Sequence, residues 1–157
     1  MRRISLAILA AASRLRVLNS TVSGNTATDC CGGGLCLHKR RTLIVGSIVA
    51  GNSSGGVGPD CVSSSDPSLS SGGFNLFGDT SDCTIRGRSS LDIVGADPIL
   101  GVLADNDGPT KTHAVLAGSP AIDMGTPKIG KALLLCTPFD QRGFPRNGRC
   151  DIGAYEF

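Results

Sequence analysis

The sequence predicts an all-β protein in which short parallel strands stack in successive turns. Three observations support this: a glycine-rich composition poor in charge, an internal repeat, and a period of two within each copy of the repeat. The 157 residues, which suffice for one domain, include 22 glycines and only 18% charged residues, against roughly 25% in an average soluble domain. Frequent glycine and proline disfavour a helical bundle, and an apolar fraction of 40% argues against a disordered chain.

Comparison of the sequence with itself reveals the repeat. Three segments align without gaps at a constant offset of 27, namely 18–25, 45–52 and 72–79. A period of roughly 20 to 50 residues is typical of solenoids, and copies that combine a strand with glycine-rich turns, without an amphipathic helix, favour a coil of β-strands. In such a coil, residue n lies beside residue n+27 of the next turn. About three turns are visible, which is near the minimum for a stable stack.

The aligned positions predict three columns that run along the stack. The apolar column is expected to form a continuous interior stripe: Val22, Val49 and Leu76. The glycine column is expected to supply backbone freedom at a bend: Gly24, Gly51 and Gly78. The polar column is expected to form a turn ladder, with side chains hydrogen-bonded to the backbone and to one another: Asn25, Asn52 and Asp79.

The repeat also predicts how the chain is divided. Residues 15–90 are expected to hold the 27-residue rungs, and residues 91–157 the last rung and an irregular cap over the open end. Residues 1–14 have two interpretations: a signal peptide, with Arg2-Arg3 before the apolar stretch 4–12, or part of a truncated earlier rung. Under the second interpretation the chain is the C-terminal part of a longer coil. An open first rung predicts end-to-end association of copies.

Charge and hydropathy exclude two classes of partner. The net charge is +2, and the basic run 39–41 lacks interleaved aromatic residues, so we predict no nucleic-acid binding. The apolar stretch 4–12 is far shorter than the roughly 20 residues that cross a bilayer, so we predict no transmembrane span.

Several strings of the sequence carry a resemblance to a known family. They are NSTVSGNTA, GGGLCL, NLFGD, ADPILGVLADNDGPTKTHAVLAGSPAIDMG and, at the end, DQRGFPR and CDIGAYEF. Over roughly residues 15–157 the chain resembles bacterial β-helix proteins of the choice-of-anchor Q type, which are related to polymorphic outer-membrane-protein and CSLREA-domain repeat proteins. The resemblance implies a single-stranded right-handed parallel β-helix, secretion or surface display, and no established catalytic activity.

Seven cysteines, none of them in a Cys-x-x-Cys motif, favour disulfides in an oxidising compartment. Cys61 and Cys83 flank the third copy of the repeat and are placed to join adjacent turns. Cys136 and Cys150 bracket a loop rich in proline and glycine, and both fall where the resembled family often has a pair. We therefore predict the bridges Cys61–Cys83 and Cys136–Cys150. The pairing of three others stays open: Cys30, Cys31 and Cys36.

The search for catalytic or metal-binding residues gives no candidate. Polysaccharide lyases and glycosidases on β-helices need clustered carboxylates, but at the offset of 27 no acidic residue falls opposite another, and Asp79 shares its column with Asn25 and Asn52. The segment 105–108 would put Leu103 and Ala114 at the first and last ligand positions of an EF-hand, so it is predicted to be a tight turn. His113 is interpreted as a residue of the cap, and a zinc site that combines the first three cysteines with His38 matches no common spacing.

The sequence therefore predicts a non-catalytic, secreted or cell-surface β-helix module with a structural or adhesive role, which binds glycans or proteins and uses no cofactor. Two alternatives remain open. One is a fragment of a carbohydrate-active enzyme, a polysaccharide lyase or glycosidase, whose site lies in upstream rungs. The other is a fragment without function.

Overall fold

The computed structural model describes residues 8–9, 14–28, 32–37, 41–63, 69–128, 130 and 136–157. Within this part of the chain the regular structure is almost entirely β-strand, with one turn of 3₁₀ helix at Ser89–Leu91. The prediction of an all-β protein is therefore confirmed.

The strands are short, and many have only two or three residues. In chain order they are β1 (Ile8–Leu9), β2 (Arg14–Leu18), β3 (Thr21–Val22), β4 (Thr26–Ala27), β5 (Leu35–Leu37), β6 (Arg41–Val45), β7 (Ile48–Val49), β8 (Ser53–Ser54), β9 (Cys61–Ser63), β10 (Leu69–Ser71), β11 (Leu76–Phe77), β12 (Ile85–Gly87), β13 (Ile93–Val94), β14 (Leu100–Ala104) and β15 (Thr112–Val115).

The strands from β1 to β13 form four groups of parallel neighbours. Sheet A has the order β1-β5-β9, sheet B the order β12-β10-β6-β2 and sheet C the order β13-β11-β7-β3, while β4 pairs with β8. Parallel neighbours need a long connection, and here that connection is the rest of one repeat. The chain thus returns to the same sheet once per repeat. The C-terminal tail is the part of the chain that follows β13, and in it β14 and β15 form an antiparallel hairpin.

The first two copies of the repeat keep the predicted offset of 27. In sheet B, Leu15 lies beside Thr42, and in sheet C, Val22 lies beside Val49. Side chains alternate between the two faces of a strand, so a constant offset keeps equivalent residues on the same face. Val22 and Val49 are accordingly both buried in the interior.

An extra residue enters the third copy between sheets B and C. In sheet B, Leu69 pairs with Thr42 at the offset of 27, whereas in sheet C, Phe77 pairs with Val49 at an offset of 28. Phe74, which lies between the two sheets, has a φ of 61°, in the left-handed region that residues other than glycine rarely adopt. The insertion is therefore accommodated at the bend, and the strands on both sides of it stay paired.

This shift corrects the predicted apolar column. A slip of one residue turns every side chain to the other face of the sheet. Phe77, and not Leu76, therefore continues the interior column of Val22 and Val49. Leu76 lies beside Ile48 on the opposite face of sheet C.

The last turn is much shorter than the others. Leu69 lies beside Ile85 and Leu76 beside Ile93, so the offset falls to 16 in sheet B and to 17 in sheet C. Among the described residues, no strand after β9 continues sheet A, and none continues the pair of β4 and β8. The segment between β11 and β12 thus closes the turn without those two strands.

Aliphatic side chains and one aromatic ring from sheets A, B and C fill the interior of the stack. These buried residues are Val17, Val22, Leu35, Leu37, Ile44, Val49, Cys61, Leu69 and Phe77. Burial of this apolar surface is the main favourable term that holds the turns together.

The C-terminal tail packs along the opposite face of sheet C. A second buried cluster joins that face to the tail: Ile48, Ala50, Leu76, Val115, Ala121 and Ile152. The backbone N–H of Gly153 donates to the carbonyl oxygen of Gly46 at 2.8 Å, and the N–H of Ala154 donates to Oγ1 of Thr21 at 3.1 Å. The tail thus contacts three successive turns from the side, and the cap over the end of the stack stays a prediction.

Residues 8–9 extend sheet A, because Ile8 in β1 lies beside Leu35 in β5. This parallel pairing is what an earlier strand at residues 1–14 would show. Most of that segment lies outside the described residues, and the choice between a signal peptide and an earlier rung stays a prediction.

Candidate functional site

The turn ladder joins the first two copies of the repeat. Oδ1 of Asn52 accepts hydrogen bonds from the backbone N–H of Asn25 at 3.1 Å and from its Nδ2 at 3.0 Å. Nδ2 of Asn52 donates to the carbonyl oxygen of Val22 at 3.0 Å. Gly24 and Gly51 precede the two asparagines with φ values of 71° and 70°, so both supply the left-handed conformation that the bend requires.

Asp60 continues this ladder in place of the side chain of Asp79. The Asp60 carboxylate is buried: Oδ1 accepts from the N–H and Nδ2 of Asn52, both at 2.9 Å, and Oδ2 accepts from the N–H of Asp79 at 2.7 Å. The carboxylate of Asp79 instead accepts from the N–H of Ser81 in an exposed turn, at 2.8 Å. The offset of 27 places Asp60 opposite Gly33, so the sequence comparison missed its role.

Gly78 is needed for space and not for the backbone freedom that the sequence suggested. A Cβ on Gly78 would lie 2.5 Å from Oδ2 of Asp60 and 3.2 Å from Cβ of Ala50. The extra residue in the third copy brings Gly78 beside Ala50 instead of Gly51. Only glycine therefore leaves room for the Asp60 carboxylate between the turns.

A second polar ladder runs between sheets B and C, and the sequence comparison missed it. In each turn a backbone N–H donates to the side chain of its counterpart in the next turn. The N–H of Ser20 donates to Oγ of Ser47 at 3.1 Å, that of Ser47 to Oδ1 of Asn75 at 3.0 Å, and that of Asn75 to Oδ1 of Asp92 at 3.0 Å. A gapless alignment puts Phe74 in this column. Allowing one inserted residue would have placed Asn75 there.

Burial raises the pKa of Asp92 above its ordinary value of 3.8, although hydrogen bonds from Ser71 and Asn75 partly oppose this. Oδ2 of Asp92 is buried and has no hydrogen-bond partner within the described part of the chain. The carboxyl group of Asp92 therefore stays protonated to a higher pH in the folded state than in the unfolded state. As a consequence, the free energy of unfolding decreases as the pH rises from the ordinary value through the folded pKa.

We expect Asp92→Asn to remove this decrease, because an amide at this position does not ionise. The measurement is the urea midpoint of wild type and variant at several values from about pH 4 to about pH 7. The exposed carboxylate of Asp105 supplies the control variant, Asp105→Asn. Parallel pH profiles for wild type and Asp92→Asn would contradict the assignment.

The structure joins Cys61 to Cys83 and Cys136 to Cys150. The Cα–Cα distances are 5.7 Å and 6.6 Å, within the range of disulfides. The first bridge lies where the last turn shortens, and it links β9 to the segment that leads into β12. The Cys61–Cys83 disulfide thus lies at the position where sheet A would otherwise gain another strand. The second bridge closes the loop of the tail, residues 136–150.

The double variant Cys61→Ala/Cys83→Ala is expected to lose about 3 kcal/mol of stability, because the bridge spans a sequence separation of 22 residues. The urea midpoint of the purified full chain measures this loss. The matched control is Cys136→Ala/Cys150→Ala, which opens the loop of the tail. An unchanged midpoint in the first variant would show that the linkage does not hold the shortened turn.

An open cleft of about 560 Å³ lies between the first turn of the stack and the loop of the tail. One wall is the segment 15–22, which contains β2 and β3. The other wall is formed by residues of the tail: Thr137, Phe139, Asp140, Gln141, Arg146 and Ala154.

The first wall is the edge of sheets B and C, since β2 and β3 are their outermost strands. The carbonyl oxygens of Ser20 and Val22 accept hydrogen bonds from the N–H groups of Ile48 and Ala50 in the next turn, at 2.9 Å and 3.2 Å. Alternate residues of a strand direct their peptide groups to opposite sides. The peptide groups of Thr21 therefore point away from β7, where no described strand pairs with them.

The second wall is organised by the carboxylate of Asp140. It accepts hydrogen bonds from Nε of Arg142 at 2.8 Å and from the N–H groups of Phe144 and Glu156, both at 3.1 Å. Burial opposes ionisation of Asp140, but these bonds and the charge of Arg142 outweigh it and lower the pKa of Asp140 below its usual value. The guanidinium of Arg142 lies between the rings of Phe144 and Tyr155, 4.6 Å and 3.6 Å from their centroids.

Arg146 holds the end of the chain from within the tail. Its guanidinium is buried, and it donates from Nη1 to Oε2 of Glu156 at 2.8 Å and from Nη2 to the carbonyl oxygen of Gly153 at 2.7 Å. Oε2 of Glu156 also accepts the N–H of Asp151 at 3.1 Å. Nε of Arg146 is buried without a hydrogen-bond partner among the described residues. Charge-assisted hydrogen bonds thus fix the wall of the cleft.

The groups that line the cleft suit binding better than acid–base catalysis. Arg16 is exposed on β2, and the ring of Phe139 is 58% exposed on the opposite wall. Within the described lining, the one carboxylate is that of Asp140, which is already paired with Arg142. The cleft therefore offers peptide groups, a cation and an aromatic ring.

A second groove of about 500 Å³ crosses the stack beside the tail. Small residues from four turns line it, with a proline, a leucine and one carboxylate: Ser23, Ala50, Gly51, Gly78, Gly95, Ala96, Asp97, Pro98 and Leu100. Asp97 accepts the N–H of Ile99 at 2.8 Å, so its carboxylate stabilises a turn.

Asp105 lies in a turn after β14, and His113 lies in the hairpin. Oδ1 of Asp105 accepts the N–H of Asp107 at 3.3 Å, and Nδ1 of His113 lies 2.8 Å from the carbonyl oxygen of Gly101. In the described part of the chain, no group of three or more histidine, cysteine, aspartate or glutamate side chains is placed to hold a metal ion. Cys36 is buried on β5. Three residues considered above lie outside the described residues: Cys30, Cys31 and His38.

No protein-family model, curated protein or solved structure matches this chain. Among the residues that the structure describes, none of the helical segments has the length and hydropathy needed to cross a membrane.

Proposed function

We propose that this chain is a non-catalytic, extracytoplasmic module, a single-stranded right-handed parallel β-helix with a structural or adhesive role at a cell surface. The observation that carries the proposal is the stack of parallel strands whose edge at β2 and β3, which no described strand covers, borders a cleft lined for binding. The right hand is supported by the general rule that connections between parallel strands of one sheet are right-handed in about 98% of cases. The resemblance to choice-of-anchor Q proteins supports the same architecture and a surface location.

An extracytoplasmic location is supported by the two disulfides. Disulfides persist in oxidising compartments and are rare in reducing ones. One bridge lies in the shortened turn of the stack, and the other closes the loop of the tail between Cys136 and Cys150. A chain that depends on them is suited to secretion or surface display.

A role in binding, and not in catalysis, is supported by the use of the carboxylates. A lyase or glycosidase site would gather several acids with a lysine or arginine in one groove. Each of the two described grooves is lined by a single carboxylate, Asp140 or Asp97. The buried carboxylate of Asp60 accepts backbone N–H groups and so serves the turn ladder.

The test uses the purified full chain in two assays. Immobilised glycans and surface proteins are screened for binding, and soluble polysaccharides are assayed for unsaturated products and new reducing ends. The proposal predicts saturable binding without either product. Product formation above that of the heat-denatured protein would favour a carbohydrate-active enzyme instead.

Thiol trapping tests the compartment. Mass measurement after blocking of thiols, with and without prior reduction, is expected to show two bridges in the protein exported to an oxidising compartment. A protein whose thiols are all free before reduction would contradict the extracytoplasmic assignment.

A further inference from the structure

We propose that the cleft beside β2 and β3 binds an extended acidic peptide of another protein, which adds as a strand to the edge of sheets B and C that no described strand covers. This inference rests on the proposed role in binding, and it names the kind of partner.

The edge offers the hydrogen-bonding groups that strand addition requires. The peptide groups of Thr21 point away from β7, to the side where no described strand lies. The adjoining strand β2 has five residues, which corresponds to a length of about 17 Å. An extended peptide that pairs with such an edge gains main-chain hydrogen bonds, and adjacent pockets select its side chains.

The charge of the lining favours an acidic peptide. Arg16 is exposed on β2, whereas the guanidinium of Arg146 is buried and paired with Glu156. The carboxylate of Asp140 does not offset the charge of Arg16, because it is fully buried and Arg142 lies 2.8 Å from it. A glutamate or aspartate of the peptide would therefore meet the guanidinium of Arg16.

The opposite wall provides a contact for an apolar side chain. The ring of Phe139 is 58% exposed although the residue lies in a loop fixed at both sides by hydrogen bonds. Aromatic rings of this kind are enriched where proteins bind partners. A peptide that alternates acidic and apolar residues would place one kind of side chain at Arg16 and the other at Phe139.

A second copy of this chain fits the edge poorly. In sheet B, residues beside one another run from Arg16 through Leu43 and Ser70 to Arg86. Stacking β12 of a second copy on β2 would set Arg86 of that copy beside Arg16. Like charges directly opposite one another destabilise a pair of strands, and basic residues at an edge are a known protection against such pairing. The edge thus favours a peptide over a second copy, and end-to-end association stays a prediction.

The test measures binding of a fluorescein-labelled synthetic peptide of about seven residues, alternating valine and glutamate, by fluorescence polarisation with the full chain. We expect Arg16→Glu to weaken binding at least about tenfold, and added salt to weaken binding to the wild type. Phe139→Ser is expected to weaken it as well. The control is Arg88→Glu, which makes the same change of charge at an exposed residue next to β12, at the far edge of sheet B.

Two further peptides separate strand addition from simple charge attraction. A peptide with lysine in place of glutamate is expected not to bind, and a glutamate peptide methylated at alternate amide nitrogens is expected to bind much more weakly. Equal binding of either peptide, or equal affinity of Arg16→Glu and Arg88→Glu, would overturn the inference. So would a dimer, detected by sedimentation, that the glutamate peptide does not dissociate. Binding of glycans or surface proteins that Arg16→Glu leaves intact would show that the proposed function stands without this site.

Discussion

Phe77→Ala is expected to destabilise the protein by about 4 kcal/mol, the size typical of a fully buried phenylalanine. The ring is completely buried, and it lies in the interior cluster beside Val49. Removing it leaves a cavity in the middle of the stack, where neighbouring turns cannot collapse without breaking their hydrogen bonds. The measurement is the free energy of unfolding from urea titration.

The control for this experiment is Phe157→Ala, since that ring is 66% exposed. We expect this variant to stay within about 0.5 kcal/mol of wild type. If Phe77→Ala lowered the free energy of unfolding as little as Phe157→Ala, the shifted register of sheet C would be wrong.

Arg146→Met is expected to cost a similar amount, about 4 kcal/mol, because it leaves the carboxylate of Glu156, whose side chain is only 12% exposed, without its partner. Arg146 is 4% exposed, and its guanidinium holds the carboxylate of Glu156 and the carbonyl oxygen of Gly153. Gly153 in turn donates to Gly46 of the stack. Loss of Arg146 thus weakens the docking of the tail on sheet C as well as its own ion pair.

A double-mutant cycle separates these two effects. In Arg146→Met/Glu156→Gln the uncompensated carboxylate is absent, so the double variant is expected to be more stable than Arg146→Met alone. Strictly additive losses would show that the ion pair at 2.8 Å contributes nothing beyond its separate halves.

The parallel stacking was predictable because it depends on repetition. Residues at equivalent positions of successive copies must meet when each repeat forms one turn, and Val22 and Val49 do so. The insertion near Phe74 was not predictable from a gapless comparison, because Leu76 and Phe77 are both apolar and either fits the interior. The short last turn was hidden for a related reason: no repeated string marks where it closes.

The candidate site was not predictable from the sequence, because its two walls are far apart along the chain. The contact between Ala154 and Thr21 spans 133 residues, and no periodic pattern connects them. The charge of Arg16 stays unopposed in the cleft only because the carboxylate of Asp140 pairs with Arg142, a contact that no sequence pattern indicates. The role of Asp60 was hidden for the same reason. It depends on the register between β5 and β9, where Leu35 lies beside Cys61 at an offset of 26 instead of 27.

The most direct test of the stacked arrangement is a nuclear Overhauser spectrum of the isotope-labelled full chain. Cross-strand contacts between backbone protons are expected for Val22 with Val49 and for Val49 with Phe77. Neighbouring strands lie about 4.8 Å apart, within reach of this measurement. Contacts between Val49 and Leu76 as direct partners, or none between the successive copies, would contradict the stack on which the cleft and its proposed role depend.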